Sequence, residues 1–125
     1  MKARILVVDD SGLARRRART ILEGAGFEVL EAEDGLAALE SYFVAKPDLV
    51  LLDLVMKGMY GLDVLTKLRE LDASACVIVV SADVQTSSRQ MVQDGGASGF
   101  INKPASAEQV VQMVEQVLKG DSPWN

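Results

Sequence analysis

Three continuous apolar runs rich in β-branched residues punctuate the chain: Ile5 to Val8, Leu49 to Leu52 and Val77 to Val80. Runs of this length without alternation predict strands covered on both faces, as in a parallel sheet. Glu28 to Ala32 alternates and predicts an edge strand, and Gly99-Phe100-Ile101, set between turn residues and a proline, predicts a short fifth strand. Between the strands, apolar positions recur at helical spacing: Ala14, Ala18, Ile21 and Leu22; Leu36, Ala37, Leu39 and Tyr42 to Val44; Leu62, Val64, Leu65 and Leu68; Val110, Val111, Val114, Val117 and Leu118. Val84 to Asp94 is mostly polar, so the helix predicted there lies exposed and is easily displaced. Ser11, Asp34 and Ser106 suit helix starts, and Gly24, Gly26, Gly95, Gly96 and Gly120 suit helix ends and turns.

Strand and helix thus alternate five times. That order predicts a doubly wound α/β sheet with right-handed crossovers and helices on both faces, where ligands sit beyond the carboxyl ends of the strands. The 125 residues hold one domain, expected over residues 1–120, followed by a disordered tail at 121–125, Trp124 included. Thirteen basic against eighteen acidic side chains leave a net charge of -5, which argues against a nucleic-acid partner. With no histidine and only Cys76, zinc sites, histidine catalysis and internal disulfides drop out. No apolar run approaches the roughly 20 residues that span a bilayer, so a cytoplasmic protein without a membrane partner is expected.

The candidate chemistry lies at the strand ends. Asp9 and Asp10 follow the first strand, Asp53 ends the third, Ser81 ends the fourth, and Asn102, Lys103 and Pro104 follow the fifth. One carboxylate after a strand is commonly a turn former or helix cap. Three converging on one rim repel one another unless a cation is present, and oxygen-only ligands match a hard ion such as Mg²⁺. With a lysine and a hydroxyl on the same rim, the set suits the oxygens of a phosphoryl group, and Asp53 is the natural nucleophile.

These motifs resemble response-regulator receiver domains of the CheY type: Leu-Val-Val-Asp9-Asp10-Ser, Leu-Leu-Asp53-Leu-Val-Met-Lys-Gly-Met-Tyr-Gly61, Val-Val-Ser81-Ala82 and Gly-Phe100-Ile-Asn-Lys103-Pro104, within a likeness running from residue 4 to about 119. The resemblance implies a flavodoxin-like (βα)5 fold with strand order 2-1-3-4-5. It also implies a bacterial two-component phosphorelay role. Asp53 would accept a phosphoryl group from the phosphohistidine of a histidine kinase or histidine phosphotransfer protein. Asp10, Asp53 and the Val55 backbone carbonyl would bind Mg²⁺, with Asp9 acting through water. Lys103 would contact the phosphoryl oxygens, Ser81 would move toward them, and Phe100 would turn inward. A cis bond before Pro104 is expected. The protein would catalyse only its own phosphorylation and dephosphorylation, and without an output domain it would act by binding a downstream protein. Ser81-Ala82-Asp83-Val84-Gln85 hints at a phosphatase partner of the CheC type.

Two positions depart from the family pattern. Lys57 stands where proline is usual, and Arg17 where an apolar residue is common. Asp83, with Val55, would flank the approach of hydrolytic water. Arg15, Arg16, Arg17 and Arg19 form either a solvated helix face or a docking surface for the phosphodonor. An Asp-nucleophile phosphatase of the haloacid dehalogenase kind is a second reading, though Val55 stands where that family has an acid. A receiver-shaped scaffold that is never phosphorylated is a third, and a flavin binder, with few aromatics to stack the ring, a fourth.

Overall fold

The computed structural model describes residues 2–56, 60–82 and 86–124, with the backbone alone at 86 and 87. Lys57 and Asp83, singled out from the sequence, lie outside the described residues. The elements alternate without exception: β1 (Arg4–Val8), α1 (Gly12–Gly24), β2 (Glu28–Ala32), α2 (Gly35–Ala45), β3 (Leu49–Asp53), α3 (Gly61–Leu71), β4 (Val77–Ser81), α4 (Thr86–Asp94), β5 (Gly99–Asn102) and α5 (Ala107–Leu118). All pairings are parallel, in the order β2-β1-β3-β4-β5, which is the flavodoxin-like (βα)5 arrangement.

The period-2 alternation of the strands sorts their side chains between two cores. Leu6, Val8, Val50, Leu52 and Val79 face one side of the sheet, where they meet Ala38 of α2, Val64, Leu65 and Leu68 of α3 and Val92 of α4. Ile5, Val7, Leu49, Leu51 and Ile78 face the other, against Leu22 of α1 and Val114 and Val117 of α5. In β1 and β3 both faces are covered, which is why these strands read as unbroken apolar runs.

The three sequence-read caps are present. Ser11 Oγ accepts from Ala14 N at 3.2 Å, Asp34 Oδ1 from Ala37 N at 2.8 Å, and Ser106 forms a reciprocal capping box with Gln109. At the end of α5, the Gly120 N–H donates to Val117 O at 3.0 Å and the Asp121 N–H to Gln116 O at 3.0 Å, with Gly120 at φ +88°. This is a Schellman closure, and the left-handed residue turns the chain back toward the sheet. Trp124 lies in the tail expected to be disordered; here its indole N–H donates to the Ala97 carbonyl at 2.9 Å and its ring packs on the core.

Candidate functional site

Each strand end delivers its polar residue to the same rim because the strands are parallel and closely matched in register. Val8 pairs with Leu52, so Asp9 and Asp53 emerge side by side, and Asp53 pairs with Val80, one residue before Ser81. Ser81 pairs with Asn102, and Lys103 N donates to Ser81 O at 2.8 Å, which carries the ladder to the lysine. The Lys103-Pro104 bond is cis.

Asp9 is buried, Asp53 half-buried and Asp10 exposed, and carboxylate oxygens of the three lie within 4.8 Å of one another. Among the described residues this is the grouping of acidic, histidine or cysteine side chains whose ligand atoms can meet at one ion. Asp9 is fixed from both sides: Oδ1 accepts from Ser11 N at 2.9 Å, and Oδ2 from Lys103 Nζ at 3.3 Å. Lys103 Nζ also stands 3.6 Å from Asp53 Oδ1, so one ammonium bridges two carboxylates. Burial pushes the Asp53 carboxyl above its ordinary value. Lys103 and the Val55 N–H pull it down, but Asp9 and Asp10 add to the rise. A carboxylate in that setting gains from added positive charge. Ser81 is buried on the same rim, at 1% exposure.

Gly61 supports this arrangement from behind. Its N–H donates to Leu54 O at 2.8 Å, and a Cβ there would strike the Asp53 carbonyl and lie 2.7 Å from Leu54 Cα. The start of α3 can close on the end of β3 only with glycine at this position.

Phe100, expected to turn inward on phosphorylation, is at 7% exposure packed into the α2–α4 core, under the Arg89 guanidinium. The arginine cluster divides as well. Arg15 donates to the Asp9 carbonyl at 2.6 Å and pairs with Glu31, as Arg19 does, so these two brace α1 against β2. Both hold Glu31 below its ordinary carboxylate value. Arg17 instead donates to Ala105 O at 3.0 Å, tying α1 to the loop after Lys103. The role of Arg15 behind Asp9 carried no sequence signal, whereas the unusual Arg17 did.

Beside the carboxylates opens a cavity of about 540 Å³. Its walls are mostly apolar, with Leu13, Ala14 and Ile21 of α1 facing Pro104 and Val110, while Asp9, Asp53 and Lys103 reach its edge and Arg17 lines it too.

The response regulator receiver domain pattern matches residues 5–115. The chain belongs to this family. The receiver is 40% identical over 119 residues to the chemotaxis protein CheY of Bacillus subtilis (strain 168), covering 94% of this chain and 99% of that one. A CheY-like receiver domain protein from Methanospirillum hungatei JF-1 superposes with a TM-score of 0.91 at 25% identity, covering 96% of each chain. A chain of the CheX-CheY-BeF3-Mg+2 complex from Borrelia burgdorferi superposes with a TM-score of 0.88 at 32% identity, covering 92% of the receiver and 88% of that chain. The receiver is thus a CheY-like signalling module and not a classical enzyme. No helix among the described residues is long and apolar enough to cross a membrane.

Proposed function

We propose that the receiver takes a phosphoryl group onto Asp53 and uses it to switch a protein-binding face. The observation that carries this reading is the Lys103 ammonium set between Asp9 and Asp53, with Asp53 at a strand end and destabilised as an anion. Asp53 Oδ attacks phosphorus in line, the bond from phosphorus to the donor's imidazole nitrogen breaks, and Lys103 meets the charge gathering on the transferred oxygens. Ser81 supplies a hydroxyl to the same oxygens. The haloacid dehalogenase reading gains nothing from the site, because Val55 carries no carboxylate to serve as acid or base.

The oxygen donors of Asp9, Asp10 and Asp53 fit Mg²⁺: they are hard ligands, and their crowding is what a divalent ion relieves. Asp10, Asp53 and the Val55 carbonyl would hold it, with Asp9 through water. Bound there, the ion supplies charge neutralisation for the incoming phosphoryl oxygens.

The donor is the phosphohistidine of a histidine kinase or histidine phosphotransfer protein. The cavity between α1 and the Lys103-Pro104-Ala105 loop opens beside Asp53 and suits an apolar side chain of that donor. Ser81 and Phe100 couple the phosphoryl group to α4, β5 and α5, where a downstream protein binds. Because Phe100 is already buried, this coupling is a repacking of the ring against α4 and not a swing from solvent. A phosphatase partner of the CheC type would act on the same rim, and the resemblance to a CheY held in a complex with CheX, BeF3 and Mg+2 supports a protein partner of this kind.

Incubation with acetyl phosphate and Mg²⁺, followed by intact-protein mass spectrometry, tests the reading. One phosphoryl adduct in Mg²⁺ and none in excess chelator is expected, and equal labelling in both conditions would refute it.

A further inference from the structure

The segment after α5 is not used by the phosphoryl chemistry, yet its path is built in detail. The Schellman closure at Gly120 directs it across β5, which among the described residues pairs with β4 alone and so presents an open edge. Gly99 makes the crossing possible: a Cβ there would lie 3.1 Å from Pro123 Cγ and 2.9 Å from Met113 Sδ. Beyond the edge, Trp124 reaches the opposite core, where its indole donates to the Ala97 carbonyl at 2.9 Å. Arg89 of α4 then places its guanidinium carbon 5.3 Å from the centroid of Trp124 and 6.0 Å from that of Phe100. One cation is shared by the two rings.

We propose that Pro123-Trp124 is an internal ligand of the α4–β5 edge and that its docking opposes activation. The proposal rests on the phosphoryl reading above. Tryptophan and arginine are the residue types that dominate protein interfaces, and here they make an interface within one chain. The docked indole ties α4, the Ala97 loop and β5 together. Any state in which α4 shifts against β5, or Phe100 repacks, must give up the shared Arg89 contact. A partner that binds this edge must also displace Trp124. By linkage, occupation of the Asp53 pocket weakens the docking by the factor by which docking weakens that occupation.

Trp124 is the single tryptophan of the chain, so its emission reports its own docking. Saturating beryllofluoride with Mg²⁺ should shift that emission to the red and increase acrylamide quenching. Followed by amide spectra, Trp124→Ala should lower the beryllofluoride midpoint by about threefold to tenfold, the scale of a partly exposed cation–π contact plus one hydrogen bond. Arg89→Gln, which removes the shared cation and leaves Trp124 itself unaltered, should move the midpoint in the same direction. An unmoved emission at saturation, or a midpoint unchanged or raised in either variant, overturns the proposal. If the pocket amides of wild type and variants alike ignore beryllofluoride, the phosphoryl reading fails first and the internal ligand with it.

Discussion

Lys103 Nζ lies 3.6 Å from Asp53 Oδ1, beyond hydrogen-bonding distance, so the ammonium can direct a donor to an incoming phosphoryl oxygen. Replacement by a neutral chain of similar length, Lys103→Met, should leave the fold intact, since the stem is only half-buried. Labelling by acetyl phosphate should fall by roughly 100-fold, the scale of losing one charge-stabilising donor in a transition state. A Lys103→Met protein labelled at the wild-type rate would remove the lysine from the chemistry.

Crowding of Asp9, Asp10 and Asp53 gives the site a stability cost that chemistry alone would not reveal. Because burial and the neighbouring acids raise Asp53, its charge is unfavourable in the folded state at neutral pH. Asp53→Asn should therefore raise the melting temperature by a few degrees in chelator. Mg²⁺ should raise that of the wild type more than that of the variant. Scanning calorimetry of both proteins, with and without Mg²⁺, checks this, and a variant less stable than wild type in chelator would contradict it.

The sheet and the rim were legible because they depend on local pattern. Ile5 to Val8 and Leu49 to Leu52 are apolar throughout since both faces are covered, and in a parallel sheet their ends must share a rim, which delivers Asp9 and Asp53 together. Trp124 was not legible, since Ser122-Pro123 reads as a loose end and the docking depends on Ala97 and Arg89, each more than 25 residues earlier in the chain. The burial of Phe100 escaped for the same reason. Arg15 resembled its arginine neighbours, and only the folded turn of α1 shows that it reaches the Asp9 carbonyl.

Gly61 should tolerate no side chain. Gly61→Ala must push the start of α3 away from the Asp53 and Leu54 carbonyls, at about 1 to 3 kcal/mol of the kind paid for overpacking. Both a lower urea midpoint and slower phosphoryl uptake should result. Unchanged values of both would show that the loop yields without moving Asp53.

At the opposite end of the sheet, Tyr42 donates to Asp72 Oδ2 at 2.8 Å. Ser74 and Tyr42 hold the Asp72 carboxyl below its ordinary value, while burial and Asp72 push the Tyr42 phenol well above its own. For the lowered acid, stability is present above the ordinary carboxylate range and is lost as pH falls through the lowered value. For the raised phenol, it is present below the ordinary tyrosine range and is lost as pH rises through the raised one. Tyr42→Phe should lower the melting temperature at neutral pH by roughly 3 to 6 °C and flatten both flanks of the pH profile. An unaltered profile would show that the pair contributes nothing.

Location of the phosphoryl group on Asp53 is the central claim, and reductive trapping tests it most directly. Wild type labelled with acetyl phosphate and Mg²⁺ is treated with borohydride, which converts a phosphorylated aspartate to homoserine, and the digest is sequenced by mass spectrometry. Homoserine at position 53 alone, and none in the Asp53→Asn protein, is the expected result. Homoserine at position 9 or 10, or at no position in a protein that carries the label, would contradict it.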